Sequence, residues 1–217
     1  MGAIAAEART NRKIGLLVAV LLLAAAALWF LAGRVHYVAD VSQVSYTAYF
    51  WPRRFGLLAH IAGGVTALAA GLVQVWLGLT GRTTRLHRTL GKVYAAGISV
   101  GAAGAVYMAV TIPSGLAYAS GLLFLAIAWV ITTGMALWAI RVRRLDQHRD
   151  WMLRSYTVTF AFVIFRLGED TLRPWLHLLA AANSDDLDAL MAWACWAVPL
   201  LIAEVFIQLG KMKRRPA

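Results

Sequence analysis

Ionisable and amide side chains interrupt the apolar runs of this 217-residue chain at two depths, and chemistry is to be sought there. Gln74, Arg154 and Glu204 each fall about five residues from one end of an apolar run, roughly 7 Å inside its boundary at ~1.5 Å of helix rise per residue. His87, Lys92 and Tyr94 open the third run, and His148 and Tyr156 open the fifth, in or beside the same layer. A lone charge in a bilayer costs at least ~2.5 kcal/mol, so such groups face a bundle interior and find partners. Glu204 has too short a side chain to snorkel, and is expected to pair with Arg154 or Lys92 or to stay protonated. A carboxylate, a guanidinium and an amide at one depth can receive an anion or pass protons. The blander alternative has Arg88, Lys92 and Arg154 snorkelling to the interface and both histidines in wet loops. A second layer holds His60, about five residues into the second run, and Arg166 near the end of the fifth. His36, His177, Glu169 and Asp170 lie in the adjoining segments. His60 is the one histidine well within an apolar run, and reads either as a metal ligand or as a hydrogen-bonded packing residue.

The elements that must position these residues are membrane helices. Residues 14–32, 55–79, 91–112, 116–140, 151–168 and 189–209 each have the length that a ~30 Å hydrocarbon layer demands. Six spans follow, in one polytopic domain over residues 1–217. Of the 21 Lys and Arg residues, sixteen fall in the segments on one side of such a bundle and five on the other. The positive-inside bias then puts both termini in the cytoplasm of a bacterial inner membrane. The same split accounts for the net charge of +11, so the charge does not imply nucleic acid; the bilayer is the first partner.

Further features agree. Most of the nine tryptophans cluster near span ends, as interfacial belts do, with Trp129 nearer mid-membrane. One cysteine, Cys195, excludes an internal disulfide, a CxxCH haem attachment and a cysteine-based zinc site. The basic, apolar N-terminus resembles a signal peptide but is too long for one and is read as a retained first helix. Residues 33–54 and 169–188 are expected outside, with short interfacial helices. Gly97 and Gly101 form a GxxxG in the third span, which reads as close helix packing or as room for a flat cofactor. The two cytoplasmic connections hint at an internal repeat: Arg82 lies five residues before His87 and Arg143 five before His148, with Tyr94 and Tyr156 following.

The string from His60 and its following glycines through Gln74, Arg85, the His87-Arg88 pair and Tyr94, then His148, Trp151, Met152, Arg154 to Tyr156 and Arg166, resembles a family of predicted bacterial membrane proteins. That family is catalogued as the 2306 domain of unknown function. The resemblance covers spans two to five and implies a topology and a polar motif set, with no established reaction. More distantly the chain is similar to the b561-like membrane cytochromes, which hold haem between histidines on neighbouring helices of a four-helix core. That likeness implies a core of spans two to five, with His87 and His148 on the alternate helices such a core uses. Span four carries no histidine, so His60 lacks the opposite partner of a second haem site.

Three functions are expected from this reading. The leading one is electron transfer through a b-type haem, or another redox cofactor. His87 and His148 would be its axial ligands, with His60 a further metal-ligand candidate. Arg88 and Arg154 would meet the propionates, and Gln74, Tyr94 and Glu204 would act as supporting or proton-handling groups. Its partner would be a membrane redox protein or quinone. The second is a small transporter or binding protein for an anion or protons, using Gln74, Arg154 and Glu204. The third is an assembly or scaffolding subunit. No HExxH, Walker loop, GxSxG or cysteine cluster supports a hydrolase, a nucleotide-driven pump or an iron–sulphur protein.

Overall fold

The computed structural model describes residues 2–33, 35–81, 84–180 and 183–212. Arg34, Arg82, Lys213, Arg214 and Arg215 of the charge split lie outside the described residues, as do the side chains of Arg9, Arg12, Lys13, His36 and His177. The described chain is helical, with no strand among the described residues. Helices α1 (Gly2–Ala32), α2 (His36–Ala39) and α3 (Gln43–Phe50) lead through a 3₁₀ turn at Trp51–Arg53 into α4 (Arg54–Leu79). Then follow α5 (Arg85–Thr111), α6 (Leu116–Arg141), α7 (Leu145–Thr159), α8 (Ala161–Thr171), α9 (Arg173–Ala180) and α10 (Ser184–Met212).

Among the described residues, four stretches are long and apolar enough to cross a membrane: Gln43–Gly78, Arg85–Thr111, Leu116–Arg141 and Ser184–Met212. They cover, to within a residue at their ends, the expected spans two, three, four and six. The other two expected spans take a different form. In the first, the continuous apolar part within the described residues is the shorter Val20–Ala32. The fifth is interrupted: α7 ends at Thr159 and α8 starts at Ala161, so neither piece alone has the length of a crossing. The polar opening of α7, LDQHRD, also takes its first turns out of the apolar count.

Local sequence explains the ends. Ile112 precedes Pro113, whose ring disfavours the helical region for the residue before it, and Ile112 is extended at ψ 136° where α5 stops. Gly115, with φ +81° and ψ 159°, makes the turn into α6 in a region essentially reserved for glycine. Helix α6 ends in a Schellman closure, Arg144 N–H donating to Ala139 O at 2.8 Å and Arg143 N–H to Ile140 O at 3.1 Å. Arg143 holds the left-handed position at φ 59°, where glycine is usual. This tight turn sets the start of α7 against the end of α6.

Neighbouring helices in the chain pack as neighbours in space: α4 on α5, α5 on α6, α6 on α7, with α7 returning to α4. Helices α5 and α7 therefore stand diagonally across this ring. Helix α10 lies outside it against α6, α7 and α8, and α1 lies against α4 and α8. The closest contact, α4 on α5, is made by glycines. A Cβ on Gly63 would strike the backbone of Gly97 and Gly101, and one on Gly104 would strike Gly56 O. The GxxxG stripe thus serves backbone approach within the chain, the packing alternative of the two readings. A scaffolding role would have to use another surface.

Candidate di-histidine site and polar core

The first turn of α7 carries His148, whose N–H donates to Arg144 O at 2.9 Å as the helix begins. Its ring turns back toward α6, with Nδ1 2.9 Å from Ala136 O. A carbonyl can only accept, so Nδ1 bears a proton, and in the neutral ring Nε2 presents a lone pair. Diagonally opposite, the first turn of α5 carries His87. Gln74 of α4, buried, donates its amide to the His87 backbone carbonyl and so ties that turn to α4. His87 Nδ1 is buried with no hydrogen-bond partner among the described residues. Helices α5 and α7 run in the same sense around the ring, so the two histidines that open them stand at the same end. Arg88 and Lys92, next on α5, are exposed.

The acid of the last helix chooses between its two candidate partners. Arg154 Nε and Nη2 both donate to Glu204 Oε2, at 2.8 and 2.5 Å, while Gln208 Nε2 donates to Oε1 at 2.6 Å. The Arg154 guanidinium also sits 4.6 Å above the Trp151 ring. Two turns further along α10 and one turn back along α7, Lys211 Nζ meets Asp150 Oδ2 at 2.9 Å. These contacts clamp α10 onto α7, and Lys92 takes no part in them. Arg154 is thereby committed to Glu204.

Deeper in the ring, Tyr94 reaches across from α5 to α7. Its hydroxyl lies 2.8 Å from both Ser155 Oγ and Thr159 Oγ1. Ser155 Oγ is 2.7 Å from Thr133 Oγ1 of α6, and Trp129 Nε1 donates to Thr159 Oγ1 at 2.8 Å. Thr133 itself donates to Trp129 O and Thr159 to Ser155 O. With those two protons assigned, Ser155 donates to Thr133 and Tyr94 donates to Ser155 or Thr159, so each donor is used. The network therefore locks three helices together, and Tyr94 belongs to it. Sequence reasoning missed Thr133 and Thr159, and marked Ser155 and Trp129 without giving either a part in the core network. The available signal was a pair of threonines in the otherwise apolar α6 facing the hydroxyl-rich RSYTVT of α7.

The outer layer separates. His60 Nδ1 is 3.1 Å from Gly101 O, and its ring meets Phe162 edge-on at 4.9 Å and Trp129 at 6.3 Å. No group of three or more His, Cys, Asp or Glu that could hold a metal occurs among the described residues. Arg166 stacks against Phe165 at 5.4 Å, while Glu169 and Asp188 converge on Arg173, at 2.7 and 2.6 Å.

Long apolar helices with polar groups turned inward define an integral membrane protein of the α-helical class. Residues 57–207 match the model of the family described as Predicted membrane protein (DUF2306), and the chain belongs to that family. No curated protein and no solved structure matches it.

Proposed function

We propose that the protein is a six-span electron-transfer protein of the bacterial inner membrane, one polytopic domain with both termini in the cytoplasm, that holds a redox cofactor between His87 and His148. One juxtaposition carries the reading. Two histidines far apart in sequence open the diagonal helices of a four-helix ring at one end of it, and bundles build cofactor sites between such facing helices.

The donor set suits a pair of imidazole ligands. His148 is held through Nδ1 by a backbone carbonyl, the kind of outer contact that orients ligating imidazoles and leaves Nε2 for the metal. His87 has a buried ring nitrogen whose lost hydration nothing among the described residues offsets. A b-type haem is the group that such a pair would hold, and when bound it would supply one-electron transfer. Gln74 positions His87 through its carbonyl. Arg88 is the cation open to a propionate, because Arg154 is spent on Glu204. A membrane redox protein or quinone would exchange the electron.

Purified protein from haem-replete cells should show a Soret band that shifts on reduction and is lost in both His87→Ala and His148→Ala. A colourless preparation would sink the proposal. A transporter reading draws on a different observation, the carboxylate of Glu204 within a span beside Arg154. It expects pH-dependent uptake abolished by Glu204→Gln, with no visible absorbance.

A further inference from the structure

A cavity of about 40 Å³ lies within the ring of α4 to α8, away from the di-histidine end, walled by His60, Met108, Ala126, Trp129, Thr159 and Phe162 among others. The remaining wall is apolar, and the polar atoms on it can be accounted for one by one. Thr159 Oγ1 donates to Ser155 O, accepts from Trp129 Nε1, which spends the only N–H of the indole, and has the Tyr94 hydroxyl 2.8 Å away at its second lone pair. His60 Nδ1 faces the Gly101 carbonyl, which can only accept, so in the neutral ring Nε2 is a lone pair. That lone pair has no hydrogen-bond partner among the described residues. The cavity thus offers one unspent acceptor in an apolar setting.

We infer that this cavity is a binding site for the hydroxyl-bearing end of a lipid-soluble molecule, an apolar body with a single O–H that donates to His60 Nε2. Water suits it poorly, since a buried water seeks about three polar partners and finds one here. A charged solute would meet no counter-charge on the wall. The size admits only the end of a larger molecule, and the apolar runs that form the wall put that end at membrane depth. The break between α7 and α8 falls on the same wall, with Thr159 ending one helix and Phe162 in the first turn of the next. Interrupted helices in membranes are found where they line a cavity. The inference is independent of the di-histidine reading.

The test uses ¹⁵N-histidine-labelled protein in lipid nanodiscs, with the His60 Nε2 resonance assigned by its loss in His60→Gln. Octan-1-ol should shift that resonance saturably. Its methyl ether, with the same apolar body and no donor, should bind roughly tenfold more weakly. Ala126→Leu, which fills the cavity without touching His60, should abolish the octanol response. Ethanol separates the sources: saturation by octanol at far lower concentration than ethanol supports a membrane-borne ligand, and preference for ethanol overturns it. Equal binding of alcohol and ether, or no saturation by either, overturns the site itself.

Discussion

The hydroxyl network across α5, α6 and α7 orders mutant stabilities and makes that order depend on one indole N–H. Tyr94 is almost wholly buried at 1% exposure and its hydroxyl makes two contacts, while Thr159 Oγ1 makes three, so counting alone puts Thr159→Val above Tyr94→Phe but gives no part to Trp129 in the difference. Proton assignment says which loss matters. Without the Tyr94 hydroxyl, Ser155 still donates to Thr133, Thr159 still donates to Ser155 O, and Trp129 still donates to Thr159. Only acceptor lone pairs lose a partner, which costs about 0.5–1 kcal/mol. Thr159→Val keeps the shape but strands the indole N–H of Trp129, itself only 6% exposed, and a buried donor without an acceptor adds ~1–3 kcal/mol. Thr159→Val should therefore cost about 2 kcal/mol, more than Tyr94→Phe. In a Trp129→Phe background, where no N–H remains to be stranded, the cost of Thr159→Val should fall to about that of Tyr94→Phe. Equilibrium unfolding in mixed micelles with increasing dodecyl sulfate measures all four differences. A Tyr94→Phe variant as unstable as Thr159→Val, or a Thr159→Val cost unchanged by Trp129→Phe, would refute the assignment.

The α4/α5 contact separates two adjacent glycines: Gly63→Ala puts a methyl into the backbone of α5 and should lower stability by at least ~2 kcal/mol, whereas Gly64→Ala meets nothing within 4 Å and should be close to neutral in the same assay. Glu204→Ala should destabilise more than Glu204→Gln, because glutamine keeps a hydrogen bond to Arg154; the gap should be about 1 kcal/mol, since Glu204 is 38% exposed and its pairing is partly screened. Equal losses would show that the pair contributes nothing to docking α10. For topology, reporters fused at Ser184 and after Met212 should lie on opposite sides of the membrane, and finding both on one side would remove α10 as a crossing helix.

The membrane class and the helical architecture were legible in the sequence, because a bilayer imposes a length and an apolar composition that a one-dimensional count can read. The polar residues were visible for the same reason: a charge inside an apolar run must be accommodated wherever the chain goes, and Glu204, Arg154, Gln74 and His60 announce themselves. Their partners were not. Glu204 had two cations at a similar depth, and the choice of Arg154 depends on α10 lying against α7 outside the ring. Tyr94 stands about two helical turns beyond His87 and just past Lys92, yet its side chain crosses to α7 and joins hydroxyls that no motif marks. The break at Phe160 likewise escapes an apolar count, which registers composition and not the continuity of backbone hydrogen bonds. Depth is a property of one helix and its bilayer, so sequence alone determines it. Facing is a property of pairs of helices, settled here by glycine-mediated approach of α4 to α5 and the tight Arg143 turn between α6 and α7, and only the tertiary structure decides it.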